Sequence, residues 1–472
     1  MFGYKIRPLL LQWLLWIDLK RYTGCIKNIH LAVRGQYNYF IFSVLKKWHT
    51  LGNPFTLVLL FIYTEIFNMK NILHATIACL VFTTASAQVK NGTSFSQNSD
   101  GRVTKSVIES DNNGLHLKVE YTGNITVNDS ETAIESISSG GIFKYSKNKS
   151  RLVAESTKDG VINYQLNDDG EELNPQSEKG TKFIAAVIKD LIALGFDAQR
   201  HVARIYKRGG ANAVLAEVGD LKSDYVKQVY LEELLKIGNL NKTEMNAVAK
   251  NIAALGGSYE KSQVLQKFTA AYLQNPQTVQ AYFDAARTIG GDYEKSQVLQ
   301  AALKQQLTKT SIGQLLAVAA TISGDYEKAE VLKKVAYIQG LDEENCNKLL
   351  SDADGIHGAY EKAGVLNEVI DGSSLSTVSF NLLLQVAEHI NGAYEKSGVF
   401  KALATKAVWS TDEWISLINA AASVNAAYEK STVLITVAGK MPADAKVREA
   451  YMETAKTIGS NYEYEQAVNA AR

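Results

Sequence analysis

Proline is nearly missing from this chain. Five occur in 472 residues, and only Pro276 and Pro442 lie beyond Pro175. That scarcity allows long helical stretches, since an interior proline removes a backbone donor and breaks a helix. Cysteine is rarer still, at Cys25, Cys79 and Cys346, which rules out a disulfide-stapled fold. The seven histidines form neither H-E-x-x-H nor a close ligand cluster with cysteine or carboxylate. G-x-S-x-G, the P-loop and a G-x-G-x-x-G after a strand are missing as well. Net charge is only +1, without the basic excess that nucleic-acid binding needs. These absences point away from an enzyme, a cofactor, a metal site and a nucleic-acid partner.

What is present is a repeat. Tyr-Glu-Lys, two further residues and then Val recur from Tyr259, Tyr293, Tyr326, Tyr360, Tyr394 and Tyr428, with degenerate copies at Tyr225 and Tyr462. Successive intervals are 34, 34, 33, 34, 34, 34 and 34 residues. A fixed period of that length marks a stacked repeat array. Each repeat reads as two short helices. The first starts at the tyrosine, with Asp292 predicted to cap its own helix in the copy at Tyr293. Val298 and Leu299 begin its apolar stripe, and Phe268, Ala302, Val335, Val369, Leu403 and Val437 continue it at helical spacing. The second helix closes on a small residue and an aliphatic plug three positions later. These pairs are Ala286/Ile289, Ala319/Ile322, Ala353/Ile356, Ala387/Ile390, Ala421/Val424 and Ala455/Ile458. No pair buries its apolar face alone, so neighbours must stack. About seven or eight pairs, packed roughly 8–10 Å apart, span on the order of 70 Å. The tetratricopeptide pattern, with its Trp-x-x-Leu-Gly-x-x-Tyr and closing Pro, does not recur. The expected fold is mainly α, a HEAT-like αα-solenoid with a small antiparallel β-meander before it.

The start of the chain is contradictory. Residues 1–68 have no clear period. They carry eight basic and two acidic side chains. Residues 69–87 read as a secretory signal peptide: Met69-Lys70, a short apolar run, then Ala85-Ser86-Ala87. Such a segment belongs at a start, so Met69 is the expected first residue and 1–68 an upstream extension or disordered stretch. The alternative is a membrane segment over 55–67, against which Glu65 and its short length count. Residues 1–68 hold a net +6 and Lys70 adds one, so a chain of +1 leaves residues 88–472 at −6. That part is expected to be exported, periplasmic or extracellular, without stable membrane insertion.

Residues 88–113 are rich in Ser, Asn and Thr and read as a flexible lead-in. Residues 114–172 switch to period two, with Leu115, Leu117, Val119 and Tyr121, then Phe143 and Tyr145, then Ile162, Tyr164 and Leu166. Turns fall at Gly123-Asn124, Gly140-Gly141 and Asp159-Gly160. The acidic Asn167–Glu172 stretch lacks EF-hand spacing and reads as a solvated turn. Residues 181–224 are helical but off-period, as capping helices would be, with a break at Gly209-Gly210. The array proper runs over 225–472. Cys346 reads as a packed thiol, and His357 and His389 as solvated or helix-capping.

Two rows of side chains remain. Stacking aligns the pairs Glu260/Lys261, Glu294/Lys295, Glu327/Lys328, Glu361/Lys362, Glu395/Lys396 and Glu429/Lys430. They are the candidate docking ladder for a protein partner. The competing and favoured structural reading pairs Glu of one repeat with Lys of the next to fix register, each exposed pair contributing under about 1 kcal/mol. For the tyrosines, packing on the preceding repeat is favoured over a row that stacks on a ligand.

Ser223-Asp224-Tyr225 and its successors of the form Gly-Asp-Tyr-Glu-Lys-x-x-Val-Leu resemble the repeats in the exported C-terminal region of some BlaR-like bacterial sensor metallopeptidases and related envelope proteins. Ile134–Gly141 and Ala211–Val218 resemble that family's β-meander and first helices, so the likeness spans roughly residues 110–472. The family's peptidase carries a membrane domain with H-E-x-x-H, and neither is found here. No catalytic residue carries over. The resemblance implies the exported sensory or interaction half, standing alone. A non-catalytic, protein-binding or signal-receiving scaffold in the bacterial envelope is the expected function, with a passive structural component and a cryptic hydrolase as alternatives. Intact-mass analysis of the chain recovered from its native envelope should give a polypeptide beginning at Gln88, and a product retaining Met69 would refute export through this segment.

Overall fold

A computed structural model describes residues 40–43, 60–63, 91–99, 104–112, 115–338, 340–406 and 409–472. Contacts divide the chain into two units, Met1–Ala85 and Ser86–Arg472. The described part of the first unit is an antiparallel strand pair, β1 (Phe40–Ser43) with β2 (Leu60–Tyr63). The 69–87 segment lies outside the described residues. Among those described, no helix is long and apolar enough to cross a membrane.

The second unit opens with strands β3 (Asn91–Ser99), β4 (Thr104–Asn112), β5 (Leu115–Thr122), β6 (Ile125–Val127), β7 (Ile134–Ile137), β8 (Ile142–Lys147), β9 (Ser150–Ser156), β10 (Ile162–Asp168) and β11 (Glu171–Leu173). Seven of them form one antiparallel sheet in the order β11-β10-β9-β8-β5-β4-β3, and β6 pairs with β7 as a separate hairpin. The flexible lead-in expected over 88–113 is therefore corrected: β3 and β4 extend the sheet from the free edge of β5. Composition hid this, because backbone pairing on an open edge does not require apolar side chains. The predicted turns hold, with Gly123, Gly140 and Gly160 in the left-handed region at φ 77°, 70° and 79°.

Helices follow: α1 (Glu178–Ala193), α2 (Ala198–Asp220), α3 (Asp224–Ile237), α4 (Lys242–Ala253), α5 (Ser258–Lys267), α6 (Thr269–Leu273), α7 (Val279–Arg287), α8 (Asp292–Ala302) and α9 (Lys309–Ala319). The rest are α10 (Asp325–Ala336), α11 (Glu343–Asp354), α12 (Ala359–Gly372), α13 (Thr377–Glu388), α14 (Ala393–Lys406), α15 (Thr411–Ala421), α16 (Ala427–Ala438), α17 (Ala445–Ala455) and α18 (Asn461–Ala470). First helices pack on first helices, as α12 on α14 and α14 on α16, and second helices on second helices, as α11 on α13 and α15 on α17. This is an αα-solenoid preceded by a β-sheet. α1 leaves the stack and covers the sheet. Its Ile184, Val187, Ile188 and Leu191 share a core with Val119, Phe143 and Leu152. α2 is broken at Gly209 and at Gly210, where φ is 65°.

The solenoid core is continuous from α2 to α18. The Ala/Ile pairs all lie in it, from Ala286 and Ile289 to Ala455 and Ile458. Each aliphatic plug sits just past its helix end, where it closes the wedge between repeats. Asp292 does not cap its own helix. Gly291 is the N-cap, with φ −79° and ψ 125°. Asp292 instead accepts hydrogen bonds from Ser323 N and Gly324 N of the next repeat, at 3.1 and 2.8 Å. Asp224, Ser258 and Asp325 make the same forked rung to Gly256/Gly257, Gly290/Gly291 and His357/Gly358. The residues at this position in the next three repeats are Ala359, Ala393 and Ala427, which have no acceptor to offer.

Burial of Asp325 works to raise its pKa. Backbone N–H groups of His357 and Gly358, with the charges of His357 and Lys328, outweigh it and hold the carboxyl below its ordinary value. A depressed carboxylate adds stability above its unfolded-state pKa, and that stability is lost as pH falls through the folded value. Asp325→Ala should therefore lower stability by about 1 kcal/mol near neutral pH. The difference should shrink as pH falls below about 3.9 and on through the folded value; thermal melts across pH read this, and a gap independent of pH would disprove the rung.

Candidate functional site

The Tyr-Glu-Lys triplet is the candidate site, and its three side chains go three ways. The direction of each follows from helical phase. Lys295 precedes Val298, Leu299 and Ala302 by three, four and seven residues, so it lies on their buried face. Tyr293 precedes Val298 and Leu299 by five and six residues, which puts it on the opposite face.

The lysines are not a surface ladder. Lys261, Lys295, Lys328, Lys362, Lys396 and Lys430 are only 5–9% exposed. Lys261 Nζ donates to Thr288 O and Oγ1 at 3.0 and 3.2 Å. Lys295 does the same to Thr321, and Lys430 to Thr457. Lys362 reaches Asp354 O at 3.0 Å, and Lys396 joins Glu388 O to Ser423 O across two successive second helices. Lys328 Nζ lies beside Gly355. An ammonium at a helix C-terminus meets both unpaired carbonyls and the negative end of the dipole. Burial lowers the pKa of Lys261, Lys295, Lys396 and Lys430, outweighing the pull of Asp224, Asp292 and Glu388 on the first three. Both sequence readings of the Glu–Lys pairs are thus corrected. The lysines neither face a partner nor bridge to a glutamate of the next repeat, because all six are buried and five donate to carbonyls.

Glu260, Glu294, Glu327, Glu361, Glu395 and Glu429 are half-buried. The first five fold back over the glycine that begins their helix. A Cβ at Gly257, Gly291, Gly324, Gly358 or Gly392 would collide with a carboxylate oxygen of the glutamate three residues on. Glycine leaves the glutamate that space, its φ being ordinary, and the atom it admits is the movable end of a flexible side chain. Ala426 occupies the equivalent place before Glu429, so the glutamate can yield.

The tyrosines are the exposed members. Tyr259, Tyr293, Tyr326, Tyr360, Tyr394, Tyr428 and Tyr462 are 60–75% exposed, and Tyr225 is 46% exposed. Packing on the preceding repeat, the favoured sequence reading, is corrected. Among the described residues, no hydroxyl of this row hydrogen-bonds within the chain. Other tyrosines fill the core instead, with Tyr272 OH donating to Met245 O and Tyr451 OH to Ala467 O. The row begins in a cleft between sheet and solenoid, where Tyr225 and Glu260 join Tyr121, Phe196, Asp197 and Arg200.

A polar cluster that the sequence did not reveal ties the loop of the β6–β7 hairpin to α2. His201 Nδ1 lies 2.6 Å from Glu131 Oε1, and Arg204 meets the same oxygen from Nε and Nη2 at 2.9 and 2.8 Å. Arg204 also reaches Asp197, whose carboxyl is pushed up by burial against the pull of Arg200 and Arg204. The residues are 70 positions apart in sequence, so no local pattern could pair them. The His–Glu pair has the form of a base and its orienting carboxylate. Yet His201 Nε2 is buried, and the nearest acceptor in an ion pair is Glu217 Oε1 at 3.7 Å. The Tyr230 ring packs beside His201, with centroids 5.5 Å apart, and the pair ties the loop to the helix. Among the described residues, no cluster of His, Cys, Asp and Glu is placed to hold a metal. The Asn167–Glu172 stretch is the tip of the β10–β11 hairpin, turning at Asp169-Gly170 with Gly170 N bonded to Asn167 Oδ1. Cys346 is buried, which raises its thiol pKa.

No protein-family model, curated protein or solved structure matches the chain.

Lys295→Glu would bury a carboxylate against carbonyls and should destabilise by about 3 kcal/mol or more. Tyr293→Ser, on the open face, should change stability by less than about 0.5 kcal/mol. Denaturant melts of both variants decide it; equal effects would return the lysine to the surface.

Proposed function

We propose that the chain is a non-catalytic scaffold that binds a protein partner along its tyrosine-lined edge. One observation carries the reading: a repeated aromatic ring, one per repeat, stands in solvent with its hydroxyl free. Isolated exposed apolar residues need no explanation. A row in fixed register does, because burying each ring would stabilise the array and every repeat forgoes it. Tyrosine is also suited to recognition, offering rigid apolar area and a polar tip at low entropic cost. Export to a bacterial envelope is part of the proposal, resting on the Met69–Ala87 pattern and on the acidic balance of residues 88–472. The sheet with α1 would then serve as the base from which the solenoid projects.

The combined variant Tyr293→Ser, Tyr326→Ser and Tyr360→Ser tests the edge. Crosslinking and affinity capture of the tagged full chain from its native envelope should recover a defined partner, and the variant should lose it while melting within a few degrees of the parent. A partner retained by the folded variant would exclude this edge as the binding surface.

A further inference from the structure

If the tyrosine edge binds, its geometry narrows the ligand. First helices of successive repeats lie side by side, so the rings recur at the inter-helix spacing, roughly 8–10 Å. A polyproline II segment has three residues per turn and rises about 3.1 Å per residue, so it presents the same side about every 9 Å. A β-strand presents one side about every 6.6 Å. An α-helix does so about every 5.4 Å, and two turns overshoot the spacing at about 10.8 Å. Only the polyproline conformation meets one ring per turn.

The charges beside the rings select the side chains. Every first helix from α3 to α18 has a carboxylate in its first turn, from Asp224 and Glu260 to Glu429 and Glu463. The lysines of the same turns are buried on carbonyls and turned away from the edge. A cation at the edge therefore finds a carboxylate for a charge-assisted bond and a ring face for cation–π attraction. The free hydroxyls suit a backbone whose own carbonyls are unpaired, as in polyproline II.

Resting on the scaffold reading above, we infer that the partner offers an extended, proline-rich basic segment with Lys or Arg at every third position. It lies along the first-helix N-termini at one turn per repeat. The test uses the full chain and a fluorescent (Pro-Pro-Arg) repeat peptide of about eighteen residues, one turn for each of the central rings. Anisotropy should show saturable binding that weakens with salt. Tyr293→Ser, Tyr326→Ser and Tyr360→Ser combined should weaken it by about tenfold or more. Glu294→Gln, Glu327→Gln and Glu361→Gln combined should weaken it and flatten the salt dependence. A (Gly-Gly-Arg) peptide of the same length and charge should bind at least about tenfold more weakly, having no preset conformation.

Equal binding of the two peptides, or binding indifferent to the tyrosine variant, overturns the inference. So does preferential binding of a β-1,4-linked N-acetylglucosamine oligomer, which would make the edge a sugar platform. If the native partner is lost in the tyrosine variant but no basic proline peptide binds, the scaffold reading stands and this one falls. If the native partner survives the tyrosine variant, the scaffold reading itself falls.

Discussion

The repeat depends on one contact, an ammonium group buried against helix-end carbonyls. At this edge of the array, every second helix ends and every first helix begins. The ends leave carbonyls that solvent would otherwise have to serve. Lys261, Lys295, Lys362, Lys396 and Lys430 supply donors from within. The lysine stem fills the junction between the two helices, and its head closes it. Lys396 shows the full form of the device, holding the ends of two successive second helices together. A methylene chain alone would fill that space but leave the carbonyls unpaired. An acid would oppose them. The lysine in the recurring phrase is thus explained without a partner.

Once the lysine is assigned inward, the rest of the triplet follows. The glutamate folds over the cap where that is glycine, and helical phase turns the tyrosine away from the buried face. The ring must stand out. Glycine at the cap serves closeness and not a left-handed backbone, which is why an alanine at 426 coexists with the same triplet. The edge that results is aromatic and acidic, although the sequence lists as many lysines as glutamates along it. Formal composition and surface composition differ here because burial removes one sign from view.

Much of the fold was legible from the chain. The 34-residue interval gave the array, and the Ala/Ile spacing gave the seam between repeats. The glycines at 123, 140 and 160 gave the turns of the sheet. Helical phase also held the fate of the triplet. Lys295 sits in step with Val298, Leu299 and Ala302, and Tyr293 sits out of step. Residue type masked that signal, since lysine is ordinarily solvated and tyrosine ordinarily half-buried. What the sequence could not show was pairing across distance. Glu131 meets His201 through the fold alone. The rungs from Asp224, Asp292 and Asp325 to the next repeat look, in sequence, like ordinary helix caps.

Those rungs also make the array uneven. Four consecutive repeats begin with a side-chain acceptor at Asp224, Ser258, Asp292 and Asp325, and each forks to two backbone donors of its successor. At Ala359, Ala393 and Ala427 the acceptor is gone, and the methyl of Ala359 instead approaches Gly392. In a solenoid, stability is close to a sum of repeat and interface contributions, so a missing rung weakens one interface without touching the others. Each rung contributes about 1 kcal/mol. The half next to the sheet is therefore pinned by polar bonds as well as by apolar stacking, whereas the far half relies on stacking and on the lysine junctions. The tyrosine row runs unbroken through both halves. It is set by the tyrosine that opens every first helix, in the full triplet from Tyr259 to Tyr428, and not by the rungs, which only some repeats have. That separation lets the chain vary the stiffness of its frame without altering the surface it presents.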